Sequence, residues 1–274
     1  MKYLLIIALF VILSINAFSK KVITLGNAAT GISLQFLGEG ELVGCDSWSK
    51  VSDGALGAVD LGPLQDIRFD LIKELKADLI IVDPEFALFG NKEKINALGI
   101  KTHYISNNYS KNQTLKDIEI IADLLGKKNA YSDVKSDFKT LYASYELVKK
   151  MNKVNSKIIY LESNYKGGLM IAGKNTCPHY LLKEVGNKLD IQYTDWVTIS
   201  KEEIEKLNAD VIFISNKAVE LIGGTDVAIK FFANTKAGKD DKIVIIDDWK
   251  MRDHGLSVSN TLLEIIGVFN NNGF

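Results

Sequence analysis

Cysteine, histidine and proline are scarce in this 274-residue chain, and the scarcity excludes several classes of protein. Its two cysteines, Cys45 and Cys177, cannot build a disulfide framework, although they can pair once or stay free. No CxxC or HExxH motif marks a zinc site. No GxSxG sequence is present, so the nucleophile elbow of α/β-hydrolases is missing as well. With three prolines and no low-complexity tract, the sequence indicates a folded protein.

An excess of basic charge is also missing. The formal net charge is -1, which argues against a nucleic-acid partner because no surplus of lysine and arginine exists to neutralise phosphates. Hydrophobic residues make up 47% of the chain and charged residues 24%, an ordinary balance for a globular protein. A chain of this length and composition can build one or two hydrophobic cores.

The N-terminus has the pattern of a secretory signal peptide. Met1 and Lys2 form a short positive region, an apolar run follows over residues 3–15, and Ala17-Phe18-Ser19 offers the small residues that a signal peptidase reads. The run is too short to span a bilayer comfortably. We therefore predict a cleaved segment over residues 1–19. Because no cysteine follows the apolar run, we expect no lipid anchor and a mature protein in the periplasm of a Gram-negative cell.

Short apolar runs alternate with helical patterns along the rest of the chain. Continuous apolarity is typical of strands buried on both faces, as in parallel sheets covered by helices. The predicted strands are Val22–Gly26, Leu42–Cys45, Leu79–Val82, His103–Ile105, Lys157–Leu161, Leu169–Ala172, Val211–Ile214 and Ile243–Ile246. The pattern predicts an α/β protein with central, mainly parallel sheets.

The chain divides into two similar halves. Residues 70–82 align without gaps on residues 202–214, and each segment reads as an amphipathic helix, an Ala-Asp turn and a buried strand. Between the halves, apolar residues recur at three- and four-residue steps, which predicts one long helix over residues 131–154. We therefore expect an N-terminal lobe over residues 20–130 and a C-terminal lobe over residues 155–274, joined by a stiff helix.

In this order and spacing, the sequence resembles a family of periplasmic binding proteins. The similar segments are Val22–Ile32, Leu42–Ser47, Leu75–Val82, Met170–Thr176, Leu181–Gly186, Trp196–Ile204 and Asp248–Arg252. The family serves ABC importers for iron chelates, haem and cobalamin, and its two α/β lobes are joined by a single backbone helix (class III). The resemblance covers essentially the whole chain after the signal peptide.

The resemblance implies partners and a docking surface. It implies a small chelate ligand containing iron or cobalt, no intrinsic cofactor, and delivery to a permease dimer at the inner membrane. One carboxylate on each lobe is implied to meet arginines of the permease, and these match Asp70 and Glu202. Asp70 stands where the family usually has Glu. We expect the protein to be a monomer.

Ligands of open α/β sheets bind beyond the carboxyl ends of the strands, so we expect a cleft where the two lobes face each other. All three tryptophans fall on the predicted cleft edges, which suits a large planar ligand. The backbone amides of residues 28–30 and those near Thr176 are candidates for binding ligand oxygens at helix starts. The candidate ligand-binding residues are Asn27, Trp48, Tyr165, Trp196, Asp248, Trp249 and Arg252.

Charged and metal-ligating candidates are few. Arg252 is the favoured electrostatic contact, because its planar guanidinium can pair with a propionate, phosphate or chelate carboxylate. His179 lies in a predicted helix start, where a neutral imidazole able to ligate iron is favoured, and His254 follows the Asp248–Arg252 segment. For both histidines a role outside metal binding competes with ligation.

Within the resemblance, the ligand stays open among three classes. Haem receptors of the family often carry a tyrosine after the glycine that is Gly62 here, and this chain has Pro63 instead. Cobalamin is favoured by Trp196, Asp248, Trp249 and Arg252 and disfavoured by the lack of an aromatic residue near Gly62, and a ferric siderophore is also compatible. The competing functions are a zinc or manganese receptor, an exported α/β enzyme such as a hydrolase, and an exported protein that kept the fold but lost transport.

Overall fold

Two separate β-sheets form the framework of the protein. The computed structural model describes residues 20–52, 54–88, 90–164 and 167–271. The predicted signal peptide over residues 1–19 and the candidate ligand residue Tyr165 lie outside these ranges. No helix of the described ranges has both the length and the apolarity needed to cross a membrane.

The N-terminal sheet has five strands in the order β3-β2-β1-β4-β5, and every neighbouring pair is parallel. The strands are β1 (Val22–Leu25), β2 (Leu42–Cys45), β3 (Val59–Asp60), β4 (Leu79–Val82) and β5 (Thr102–Tyr104). Strands β1 and β4 are buried along their whole length, as the continuous apolar runs predict. The short strand β3 escaped the sequence prediction because it has two residues, both exposed.

The C-terminal sheet has the order β10-β9-β6-β7-β8. Its strands are β6 (Ile158–Ser163), β7 (Leu169–Ala172), β8 (Trp196–Ile199), β9 (Val211–Ser215) and β10 (Ile243–Ile246). Strands β6, β9 and β10 run parallel, whereas β7 is antiparallel to both β6 and β8. Strand β8 was not predicted, since three of its four residues are only partly buried or exposed.

Helices cover the sheets and connect them. They are α1 (Asn27–Leu34), α2 (Phe69–Leu75), α3 (Pro84–Leu88), α4 (Lys92–Asn96), α5 (Lys111–Leu124), α6 (Tyr131–Met151), α7 (Cys177–Val185), α8 (Lys201–Leu207), α9 (Asn216–Leu221), α10 (Thr225–Phe232), α11 (Lys236–Lys239), α12 (Asp248–Met251) and α13 (Val258–Asn271). Short 3-10 turns lie at Ser49–Val51 and Lys128–Ala130.

The long helix α6 lies between the two sheets in the chain and packs against both halves. Phe138, Tyr142 and Tyr145 on one face are buried in an apolar cluster that includes residues of β1, β6, α5 and α13. Leu141 and Met151 also follow the three- and four-residue apolar spacing from which this helix was predicted, but they are exposed. The protein is thus a two-lobed α/β fold with mainly parallel sheets joined by one long helix. The lobe boundaries at residues 130 and 155 remain a prediction.

The internal repeat predicted from the sequence has a structural basis at its Ala-Asp turns. Lys76 and Asn208, at the ends of α2 and α8, both adopt left-handed backbone conformations, with φ of 49° and 48°. In the N-terminal lobe the carboxylate of Asp78 accepts a hydrogen bond from the amide of Lys21 at 2.9 Å, and the amide of Asp78 donates to the carbonyl of Lys21 at 2.8 Å.

The C-terminal lobe repeats this pairing. The carboxylate of Asp210 accepts from the amide of Lys157 at 2.7 Å, and the amide of Asp210 donates to the Lys157 carbonyl at 2.8 Å. Each aspartate therefore ties the start of its own strand to the start of the neighbouring strand. Because Asp70 and Glu202 precede these aspartates by the same number of residues, they occupy equivalent positions in the first turns of α2 and α8.

Candidate functional site

The carboxyl ends of the parallel strands of both lobes meet in one region. In the N-terminal lobe, Gly26 follows β1, Asp46 follows β2 and Asp83 follows β4. In the C-terminal lobe, Asp247 follows β10, and the segment after it, α12 and residues 252–254, contacts the N-terminal lobe. This is the position at which sheets of this type bind ligands.

Backbone amides of the first loop of the N-terminal lobe are hydrogen-bonded within the lobe. The buried carboxylate of Asp83 accepts hydrogen bonds from the amides of Ala28 at 3.0 Å and Ala29 at 2.7 Å, and the Thr30 amide donates to the Gly26 carbonyl. Gly26 has φ of 109° and lies so close to Asp83 that a Cβ would collide with its side chain. Burial raises the pKa of Asp83 well above its ordinary value. The prediction that the amides of residues 28–30 are free for ligand oxygens is therefore wrong.

Asp46 accepts hydrogen bonds within the N-terminal lobe in the same way. Its carboxylate accepts hydrogen bonds from the amide of Gly26 at 2.7 Å, from that of Trp48 at 3.0 Å and from the hydroxyl of Ser49. These bonds hold the start of the Trp48 segment against the end of β1. Near the other predicted anion site, the Thr176 side chain accepts from the His179 amide at 3.4 Å, so that helix start is also capped internally.

Arg252 lies at the boundary of the two lobes and contacts both. Its guanidinium pairs with Glu85 of α3 at 2.5 Å and with Glu162 of β6 at 2.7 Å. The guanidinium carbon lies 4.8 Å from the ring centre of Trp48 and 4.9 Å from that of Trp196. A guanidinium within this distance of an aromatic ring is attracted by the ring's electron density. These five side chains, Trp48, Glu85, Glu162, Trp196 and Arg252, are called the interlobe cluster below.

The three charged side chains of the interlobe cluster are buried, and its carboxyl groups outnumber its guanidinium. The side chains of Arg252, Glu85 and Glu162 are exposed by only 4%, 5% and 0%. Burial raises the pKa of Glu162, and the neighbouring Arg252 opposes that shift. Two carboxylates thus share one guanidinium, which leaves a surplus of one formal negative charge if both are ionised.

Further candidate residues flank the interlobe cluster. Asp248 pairs with Lys217 of α9 at 2.7 Å, and the Lys217 ammonium lies 5.5 Å from the Trp48 ring centre. The side-chain amide of Asn27 donates to the carbonyl of Trp249 at 3.1 Å, which joins α1 to α12 across the lobes. The structure therefore places the described ligand-binding candidates at one boundary between the lobes, although Trp249 is joined to it through its backbone carbonyl while its side chain is exposed.

The two histidine candidates for metal binding differ in their surroundings. His254 is 3% exposed and its ring meets that of Tyr109 edge-on at 4.8 Å, while neither ring nitrogen has a hydrogen-bond partner among the described residues. Burial lowers the pKa of His254 to about 4, so its imidazole is neutral. His179 is half-buried in the first turn of α7, and burial together with Lys183 and Lys174 lowers its pKa. A ligating role for either residue remains a prediction.

A cavity opens between the lobes beside the interlobe cluster. Its volume is about 320 Å³, and it is lined from the N-terminal lobe by Pro84, Lys92, Tyr104, residues 105–107 and Tyr109 and from the C-terminal lobe by Asn175 and Asp195. The Lys92 ammonium lies 5.2 Å from the Tyr104 ring centre and has no carboxylate within ion-pair distance in the described part of the chain. The hydroxyl of Tyr109 donates to the carbonyl of Asn175 at 3.3 Å across the cavity floor.

The sequence reasoning missed several of these residues. Glu162 follows the buried Ile158–Leu161 run within the fully buried strand β6, and a charge in such a strand is a usable signal because buried charges are rare unless they are paired. Tyr104 ends β5 and so follows the same strand-end rule as the predicted residues. Glu85 lies on a five-residue helix with no distinguishing sequence pattern.

The two docking candidates lie on separate lobes. Asp70 and Glu202 are both exposed, in the first turns of α2 and α8, where a negative charge is favourable with the helix dipole. The structure therefore leaves both carboxylates accessible, and their role in docking stays a prediction.

Two α/β lobes joined by one helix, with polar and aromatic side chains between them, are the architecture of the two-lobed binding proteins. The chain belongs to the periplasmic binding protein family, whose sequence model matches residues 22–248. A comparison with curated protein sequences found no match.

Solved structures with the same fold include three heme-binding proteins. The periplasmic heme-binding protein BhuT in complex with two hemes is 15% identical and has a TM-score of 0.79, covering 92% of this chain and 98% of its own. RhuT from Roseiflexus sp. RS-1, in apo form, is 20% identical with a TM-score of 0.78, covering 93% and 99%. HutB of Vibrio cholerae is 20% identical with a TM-score of 0.72, covering 92% and 99%. At these identities the likeness shows the fold.

Proposed function

We propose that the protein is a periplasmic receptor that binds an iron chelate or a tetrapyrrole between its lobes and delivers it to an ABC importer. The observation that carries this proposal is the interlobe cluster, in which a buried guanidinium contacts two indole rings, one from each lobe, at the boundary between the lobes. Flat aromatic surfaces with a few convergent polar groups are typical of sites for large planar ligands. Membership in the periplasmic binding protein family supports the same function.

Haem is the ligand favoured by the structural relatives, since three of them are heme-binding proteins by name. The buried Nε1 of Trp196 has no partner among the described residues and can donate to a ligand oxygen. A cavity of about 320 Å³ lies at the lower end of the range for drug-sized ligands, so a tetrapyrrole requires the lobes to separate. A ferric siderophore and cobalamin remain within the proposal.

Docking to the importer follows from the same layout. The proposal assigns Asp70 and Glu202 to contacts with the two permease subunits, one from each lobe. Their equivalent positions in the repeated helix-turn-strand segments support this pairing. A receptor whose liganded form binds the permease more tightly would deliver its ligand by that difference in affinity.

The competing functions have less support. A zinc or manganese receptor needs several clustered nitrogen or carboxylate ligands, and the described ranges contain no group of three or more His, Cys, Asp or Glu residues that could hold a metal ion. Membership in a binding-protein family favours a receptor over an enzyme.

The test is an equilibrium titration of the purified protein with hemin, cobalamin and several ferric siderophores, followed by tryptophan fluorescence and visible absorbance. Saturable quenching by one of them, with a Kd well below the micromolar range, is the expected result. Absence of saturable binding by all three classes contradicts the proposal.

Two neighbouring lysines on α4 provide a matched pair of variants. Lys92 lines the interlobe cavity, whereas the Lys94 ammonium lies 5.5 Å from the Phe69 ring centre. Lys92→Gln should weaken binding of an anionic ligand by about two- to fivefold, the effect of one solvated ion pair, while Lys94→Gln should not. Equal effects of both variants would place the ligand outside this cavity.

A further inference from the structure

The C-terminal end of the connecting helix α6 exposes two large apolar side chains. Leu147 is 61% exposed and Met151 is 77% exposed. Because residues four apart in a helix are neighbours on its surface, the two side chains form one patch. They lie on the side of α6 away from Phe138, Tyr142 and Tyr145, which are buried. Leu147 and Met151 are therefore available to a partner outside the described chain.

Four exposed lysines lie beside this apolar patch. None of them has a carboxylate within ion-pair distance among the described residues, and they are Lys150, Lys153, Lys157 and Lys188. Two acids that border these lysines are engaged elsewhere, since Glu184 pairs with Lys149 at 2.8 Å and Asp210 pairs with Lys236 at 2.5 Å. This part of the surface is therefore positive, although the formal net charge of the whole chain is -1.

The lysines and the apolar patch form one continuous surface. The amide of Lys188 donates to the carbonyl of Ser156 at 3.0 Å, which holds the loop after α7 beside the segment after α6. A groove of about 410 Å³ between them is lined in part by Lys149, Lys153 and Lys188, and a neighbouring groove of about 200 Å³ is lined in part by Met151 and Lys153. The name basic surface is used below for Leu147, Lys150, Met151, Lys153, Lys157 and Lys188.

The basic surface and the docking candidates lie on different faces of the fold. Helix α6 packs on the face of the C-terminal sheet that includes Tyr160, whereas α8, which carries Glu202, packs on the face that includes Ile159. In the N-terminal lobe, α2, which carries Asp70, packs on the face of the sheet opposite to the one that shares an apolar cluster with α6. A partner bound to the basic surface therefore leaves both docking carboxylates uncovered.

We propose that the basic surface binds an anionic phospholipid bilayer. The negative charge of the lipid head groups attracts the lysines, and ammonium groups around a groove can bind a lipid phosphate. Leu147 and Met151 gain free energy by entering the boundary between head groups and acyl chains, a gain that a soluble polyanion does not offer. A bilayer is thus the partner for which both the charged and the apolar side chains of this surface have a role.

The test is sedimentation of the protein with vesicles made of equal parts phosphatidylglycerol and phosphatidylcholine. The protein is purified after export, and mass spectrometry checks its N-terminus, because the apolar run over residues 3–15 would itself bind lipid. Saturable binding that weakens with added salt is expected, with binding to phosphatidylcholine alone at least about tenfold weaker. Equal binding to both kinds of vesicle, or binding to neither, would overturn the proposal.

Charge variants test whether this surface carries the binding. Each lysine near an anionic bilayer strengthens binding by about fivefold, so replacing the four lysines of the basic surface with Gln should weaken it at least about a hundredfold. The matched control replaces with Gln four other exposed lysines without ion pairs, Lys73, Lys101, Lys116 and Lys127. The control should bind nearly as tightly as the parental protein. An equal loss in both variants would show a dependence on net charge alone and overturn the assignment of this surface.

The double variant Leu147→Gln, Met151→Gln tests the bilayer against a soluble polyanion. Both side chains are exposed, so the core stays intact, and circular dichroism checks the fold of every variant. Losing two apolar groups from the bilayer interface should weaken vesicle binding by about tenfold. The matched control is Val227→Gln, Ile229→Gln on α10, where both side chains are also exposed, and it should bind like the parental protein. A loss in the lysine variant without a loss in the apolar variant would identify a soluble polyanion as the partner and overturn the bilayer.

Discussion

Removing the cation of the interlobe cluster gives the most informative test of its electrostatics. Arg252→Gln leaves Glu85 and Glu162 buried without their shared guanidinium, and it removes the contacts with the rings of Trp48 and Trp196. Breaking a buried ion pair on one side costs about 3–5 kcal/mol because the other charge stays desolvated. We expect the free energy of unfolding to fall by this amount at pH 8.

The loss of stability in Arg252→Gln should become smaller as the pH falls. Burial already raises the pKa of Glu162 in the folded protein, and Arg252 opposes the rise. Without Arg252 the folded-state pKa rises further above the unfolded value, so the folded state binds more protons than the unfolded state. Stability is then lost as pH rises from the ordinary carboxyl pKa toward the raised one, and it is regained on acidification. The deficit of the variant should shrink between pH 8 and pH 5.

Urea unfolding of both proteins at several pH values measures this effect. The triple variant Arg252→Gln, Glu85→Gln, Glu162→Gln is the matched control, since it leaves no charge in the interlobe cluster and should recover most of the stability. A deficit below about 1 kcal/mol at pH 8, or one that stays constant down to pH 5, would refute the assignment of a desolvated ion-pair cluster.

Three further predictions concern docking and local stability. Replacing Asp70 and Glu202 together with Ala should abolish importer-dependent uptake while the Kd for the ligand stays unchanged, and persistent uptake would contradict the docking assignment. Ser200→Ala removes the capping box in which the Ser200 hydroxyl accepts from the Glu203 amide, so the free energy of unfolding should fall by about 1 kcal/mol, and an unchanged value would contradict this contribution. Asn187→Ala removes bonds of 2.8 Å to both the amide and the carbonyl of Ile158, so a loss of about 1–3 kcal/mol is expected in urea unfolding, and a smaller loss would show that water replaces the side chain.

The framework of the fold could be predicted because its signals are local. Buried strands appear as continuous apolar runs, such as Leu79–Val82 and Val211–Ile214, and the period of the long helix is visible within a short window. The repeat around Asp78 and Asp210 was also visible as an ungapped alignment. Its cause, the reciprocal bonding of each aspartate to a lysine backbone, required coordinates.

The site could be predicted only in part. Trp48, Trp196 and Arg252 were found because strand ends and tryptophans are conspicuous in the sequence. The partners of Arg252 were missed because Glu85 and Glu162 lie 167 and 90 residues away, and their pairing depends on how the lobes close. The amides of α1 were expected to be free because nothing in the sequence shows that the carboxylate of Asp83 reaches them.

The most direct measurement of the central claim is a crystal structure of the protein with the chelate that binds most tightly in the titration. We predict ligand density between the lobes, in contact with Trp48 and Trp196, with Arg252 bound to an anionic group of the ligand. A ligand bound on the outer surface of one lobe, with the pair between Arg252 and Glu85 intact, would contradict the account.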